Sequence, residues 1–135
     1  MIALLNNKFF IVFFIPFILG GLTVFGFAPY NFSVINFLTF SILLFLILKI
    51  KKKTQSKYIK KNSKRYFFYL GSAFGFGFFL FGNYWISISL THDDMFKELI
   101  PFALVLIPLF LSLFFGLSIL LVGNFAEKNV NFVIL

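Results

Sequence analysis

Apolar residues in this chain do not alternate with polar ones. They run in long blocks, and the polar residues gather between the blocks. The first block extends from about Phe9 to Phe27 without an ionisable side chain, close to the roughly 20 residues a helix needs to cross about 30 Å of hydrocarbon. Pro16 and the Gly20-Gly21 pair would weaken a helix in water, yet both residue types are common in membrane helices, where neighbouring groups satisfy the freed backbone. The block is longer than a signal-peptide core and no small-x-small cleavage site follows, so it reads as a retained span. Ala28-Pro29-Tyr30-Asn31 then breaks the pattern, because Pro biases its predecessor away from helix and Asn favours turns. A tight hairpin into a second block, about Phe32 to Leu48, is predicted. The polar residues of that block are Ser33, Asn36, Thr39 and Ser41; Asn36 near its outer end can bond a neighbouring helix or be solvated at the interface, and solvation is the favoured reading.

The residues from Lys49 to Arg65 hold nine of the twelve basic side chains. Each Lys or Arg at a helix centre costs roughly 2.5–3.5 kcal/mol on insertion, which predicts a loop here, cytoplasmic by the positive-inside bias. A third block runs from about Tyr66 to Leu90 and a fourth from about Leu99 to Gly123. Between them, residues 91–98 carry three of the four acidic side chains and are predicted to face the outside. Pro101 falls in the first turn of the fourth block, where a missing N–H is harmless, whereas Pro108 lies mid-span and should kink it. After the polar stretch Asn124 to Asn131, Phe132-Val133-Ile134-Leu135 reads as the first turn of a fifth span and the chain as a piece of a longer protein. The predicted class is therefore all-α: a polytopic membrane protein with about four transmembrane helices, both termini cytoplasmic.

Composition sharpens this picture. Of 135 residues, 61% are hydrophobic and 12% charged, against about 45–50% and about 25% in soluble domains. The net charge of +8 would suggest nucleic-acid binding if it were spread over the chain, but it is concentrated in the segment between two apolar blocks, so no nucleic-acid partner is inferred. The 25 Phe residues fit a bias of an AT-rich coding sequence better than a cofactor box. With no Cys, disulfides, thiolate metal sites and a Cys nucleophile are excluded within these residues.

Small residues recur at helical spacing. Gly71, Gly75 and Gly82 in the third block, and Ser112, Gly116 and Gly123 in the fourth, each stand at i, i+4 and i+11, close to one stripe. The stripes are read as a packing seam between those two helices; packing against another part of the protein, or between two copies, would use the same residues. His92 beside Asp93 and Asp94 reads as a solvated loop, since three adjacent residues do not converge on one ion. No Ser/His/Asp set or phosphate loop is found, Gly75-x-Gly77 lies within a span, and no cofactor or metal is implied.

Two stretches resemble a known family. The segment Gly20 to Tyr30, GGLTVFGFAPY, is similar to the glycine-containing first span of bacterial apolipoprotein N-acyltransferases. The segment Gly71 to Ser89, GSAFGFGFFLFGNYWISIS, resembles their third span in its Gly spacing, its Tyr-Trp pair and its trailing Ser. The basic segment lies between the two, as in the family. The resemblance implies transfer of an acyl chain from a membrane phospholipid to the α-amino group of a diacylglyceryl-cysteine during lipoprotein maturation. It also implies a nitrilase-like domain with a Glu-Lys-Cys triad. No position here matches that triad, so the chain alone is expected to be inactive, contributing the membrane part that partners that domain, the phospholipid and the lipoprotein substrates. Pro29, Tyr30, Tyr84 and Trp85 fall near the outer ends of their spans, where they fit both a lipid-substrate entrance and an ordinary interfacial aromatic belt. The competing reading is a small non-enzymatic membrane protein, or a decayed gene product, with a helix-packing role.

Overall fold

The computed structural model describes residues 9–28, 30–54, 63–83, 98 and 100–128. Every regular element of more than a single turn among them is helical. A π-helical turn, Phe10–Phe14, enters α1 (Ile15–Thr23), which closes in a 3₁₀ turn, Val24–Gly26. Then come α2 (Ser33–Thr54), α3 (Ser63–Gly82) and α4 (Ile100–Lys128). The π turn has an identifiable cause. Pro16 has no N–H to offer the turn before it, and just ahead of it the ladder widens so that Ile15 N–H reaches back to Phe10 O.

The core is built around α3. Its largest interfaces are with α4 on one side and α1 on the other, and Phe67, Leu70 and Phe74 are almost wholly buried between them. Ile11, Val12 and Leu19 complete the core from the N-terminal segment, Leu43, Leu46, Ile47 and Ile50 from α2, and Ile119 from α4. The remaining faces of α2 and α4 are apolar and bare: Phe37 is 77% exposed and Val34 71%, with Phe45, Phe102 and Phe110 comparably open. Apolar surface this continuous is a surface for lipid or for another protein rather than for water.

Among the described residues, two helices are long and apolar enough to cross a membrane, Ser33–Lys52 and Ile100–Gly123, and Phe10–Gly26 forms a shorter apolar helix. The sequence pattern predicts more spans than these two. The N-terminal block is divided by its π and 3₁₀ turns. The third opens on Lys64 and Arg65 and carries Gly, Ser and Tyr on its faces, and its expected last third lies outside the described residues.

The basic segment departs from the expected loop over 49–65. Helix α2 continues through Lys49 to Thr54, and α3 already begins at Ser63. Lys is a good helix former, and cations near a helix C-terminus complement its partial negative charge, so apolarity ends before helicity does. Pro108 is accommodated inside a continuous α4 and is fully buried. The predicted loop at 91–97 and the apolar residues 132–135 lie outside the described residues.

Candidate functional site

The hairpin between α1 and α2 carries the candidate site residues nearest to well-ordered helix. Phe27 N–H donates to Val24 O at 3.0 Å, Asn31 N–H to Phe27 O at 3.0 Å, and Phe32 N–H to Phe25 O at 3.1 Å, folding the chain back on itself. Asn31 holds the left-handed conformation this reversal needs, with φ 55°, which Asn tolerates better than most residues. The turn presents Phe25, Phe27, Tyr30 and Phe32 outward, and the Tyr30 ring packs on Phe25 with centroids 5.0 Å apart. Pro29, Tyr84 and Trp85 lie outside the described residues.

A buried polar cluster pins the two arms of the hairpin. Thr23 Oγ1 donates to Leu19 O at 2.7 Å and lies 3.0 Å from Thr39 Oγ1, which is also 3.1 Å from Asn36 O. Both threonines are buried. One turn along α2, the Asn36 amide rests directly on the Cα of Gly26, where no side chain would fit. Its Oδ1 is buried without a hydrogen-bond partner, so Asn36 points into the hairpin rather than into the interfacial water expected of it. Along α2, Ser33, Asn36, Phe37, Phe40, Ser41 and Leu44 border an open groove of about 670 Å³. The Ser41 hydroxyl is turned back onto Phe37 O at 2.7 Å, which leaves the groove with mainly apolar character.

Two close approaches fix α3. Towards α4, a β-carbon added at Gly71 would lie 2.6 Å from Phe115 O, and one at Gly75 2.7 Å from Phe115 Cβ and 3.1 Å from Ser112 Cα. From the other side, a β-carbon at Gly116 would collide with Ser72 Oγ, and one at Gly123 with the Phe67 ring. Ser72 Oγ is buried there without a partner, while Ser112 donates to Leu109 O at 2.6 Å. Gly82 is elsewhere: its nearest neighbour is Val24 Cγ2, and the space around it is ordinary. Towards α1, Gly20 sits under Phe74 O, with a β-carbon there only 2.8 Å from Phe78 N, and Gly77 sits under Phe17 O. This second approach is backbone on backbone. Its signal in the sequence was the Gly20-Gly21 pair and the Gly75-x-Gly77 spacing, which report a helix-weakening composition before they report a contact.

Chemically, the arrangement positions helices and aromatic surface. The buried hydroxyls of Thr23, Thr39 and Ser112 sit beside backbone carbonyls or each other, and none is placed beside a base. No group of three or more His, Cys, Asp or Glu that could hold a metal occurs among the described residues.

Residues 19–135, which contain the hairpin, the glycines of both approaches and the threonine pair, match the family model described as the apolipoprotein N-acyltransferase N-terminal domain. The chain belongs to this family. Among curated relatives it is similar to the apolipoprotein N-acyltransferase of Rickettsia typhi, with 35% identity over 117 residues, covering 85% of this chain and 21% of that protein. The Rhizobium etli protein of the same name is 31% identical over 107 residues, 78% of this chain and 20% of its own length. The Sinorhizobium fredii protein is 29% identical over 128 residues, 88% of this chain and 24% of its own. The chain thus spans a fifth to a quarter of the length of these family members. No solved structure gives a significant match. The family's segment begins inside α1, so Phe9 to Phe17 stand ahead of it.

Proposed function

We propose that this chain is the membrane-embedded N-terminal part of an apolipoprotein N-acyltransferase, serving the transfer of an acyl chain from phospholipid to the N-terminal diacylglyceryl-cysteine of lipoproteins. The observation that carries this reading is the family match over residues 19–135. The bare apolar faces of α2 and α4 support its placement in lipid. On this reading the chain crosses the inner membrane along about 9–27, 32–48, 66–90 and 99–123, with the basic segment and both termini cytoplasmic and residues 91–98 periplasmic. Pro29, Tyr30, Tyr84 and Trp85 then come to the outer edge of the bilayer, where phospholipid and lipoprotein substrates meet the nitrilase-like domain. The threonine pair and the Gly26–Asn36 contact hold the hairpin that carries Tyr30, and the glycine approaches hold α3 as a rib between α1 and α4.

A chimera tests the assignment. Residues 1–135 replace the matching segment of the Rickettsia typhi relative, and the purified chimera receives labelled phospholipid and a diacylglyceryl-cysteine peptide in lipid vesicles. N-acylated peptide is expected from the chimera and none from residues 1–135 alone, which contain no Cys to form a thioester. A chimera that inserts into membranes yet forms neither acyl-enzyme nor product overturns the assignment.

A further inference from the structure

Along the outer edge of the α1–α3 contact, Phe9, Phe13, Phe14 and Phe17 face Ala73 and Phe76 across an open groove of about 240 Å³. All six are apolar, and Ala73 leaves the floor low between larger side chains. Ring contacts run along and across it: Phe9 stacks on Phe13 at 5.3 Å, Phe13 meets Tyr69 at 5.5 Å and Phe17 meets Phe76 at 6.0 Å.

A cation lies beyond the groove on the same face of α3. Phe76, Ala73, Tyr69 and Arg65 follow one another at steps of three or four residues and so share one face of α3. Arg65 is exposed, lies about 12 Å along the helix axis from Ala73, and leans towards the helix N-terminus as helical side chains do. Lys64 is exposed beside it. An apolar slot with a cation further along the same helix face matches an anionic lipid in charge and in the order of its parts.

We propose that this groove binds one acyl chain of an anionic glycerophospholipid of the cytoplasmic leaflet, with the lipid phosphate on Arg65. The inference rests on the membrane placement above. It concerns the leaflet opposite the proposed acyl transfer, and four of the six groove residues precede the family match.

The test uses the intact chain in phosphatidylcholine vesicles containing phosphatidylglycerol with a photoreactive diazirine on one acyl chain. Flotation is measured first, and adducts are then mapped by mass spectrometry. The expected result is labelling concentrated on Phe9 to Phe17 and Ala73 to Phe76, displaced by unlabelled phosphatidylglycerol and not by phosphatidylcholine. Arg65→Gln should lower this labelling about fivefold, as befits one basic residue near an anionic surface, with Arg65→Lys keeping most of it. Ala73→Trp, which fills the floor, should lower it at least as much. A floating chain labelled equally on the groove and around Phe37, or labelling unchanged in Arg65→Gln, overturns the site and leaves the membrane placement intact. A chain that does not float overturns both.

Discussion

At the scale of single residues, the glycines divide by what a β-carbon would meet. At Gly20 it meets the α3 backbone, at Phe74 O and Phe78 N, which cannot swing aside as a side chain can. Gly20→Ala is therefore expected to push α1 off α3 and destabilise the fold by about 1–3 kcal/mol, the usual range for overpacking. At Gly82 the nearest atom is Val24 Cγ2 at 3.7 Å, an ordinary contact. There Gly82→Ala should be neutral or stabilising by up to about 1 kcal/mol, because Ala loses less backbone freedom in a helix. Unfolding of both variants in bicelles, followed by circular dichroism, checks the pair; equal midpoints would mean that the α1–α3 approach is looser than the structure has it. These two glycines also show the limit of reading faces from spacing. Periodicity puts Gly82 on the stripe of Gly71 and Gly75, yet its neighbour is Val24, because a stripe says which residues share a face and not which helix covers each turn of it. Asn36 illustrates the same point for polar residues: position near a span's end suggests water, whereas the absence of a side chain at Gly26 makes room for its amide inside the hairpin.

At the scale of elements, helical class was legible because the apolar blocks are too long and too unbroken for strands. The hairpin at 28–31 was legible from its Pro and Asn. The end of α2 was not, since Lys both stops a span and extends a helix, and only the structure separates the two effects at Lys49 to Thr54. The packing of α2 gives a test of its solvent. Leu44 lies near the middle of Ser33–Lys52 and is 56% exposed on the face away from the core. If lipid surrounds that face, Leu44→Arg should impair insertion by roughly 2.5–3.5 kcal/mol, seen as a shift from inserted to non-inserted chains in a translocon assay. If water surrounds it, an exposed Leu→Arg change would leave the protein's yield and fold untouched. Unimpaired insertion would thus remove α2 from the bilayer.

At the scale of the whole molecule, orientation follows from where charge cannot go. Nine basic residues at 49–65 make that end of α2 and α3 the one least able to cross the membrane, and the topology proposed above puts it in the cytoplasm by the positive-inside bias. The hairpin at Phe27 to Phe32 is at the opposite end of α2, so the same proposal takes Tyr30 to the periplasmic side, together with the acidic segment 91–98. The absence of native Cys makes this directly measurable, because a single introduced thiol is the only one to react. Ser63, at the start of α3, and Thr91, in the acidic segment, are the two positions to convert. In intact spheroplasts a membrane-impermeant maleimide should label Thr91→Cys and spare Ser63→Cys, and permeabilisation should expose both. Labelling of Ser63→Cys alone would invert the orientation. It would carry Tyr30 to the cytoplasm, away from the outer face where the proposed acyl transfer takes place. Labelling of both before permeabilisation would place the two ends of α3 on one side and rule out the third span.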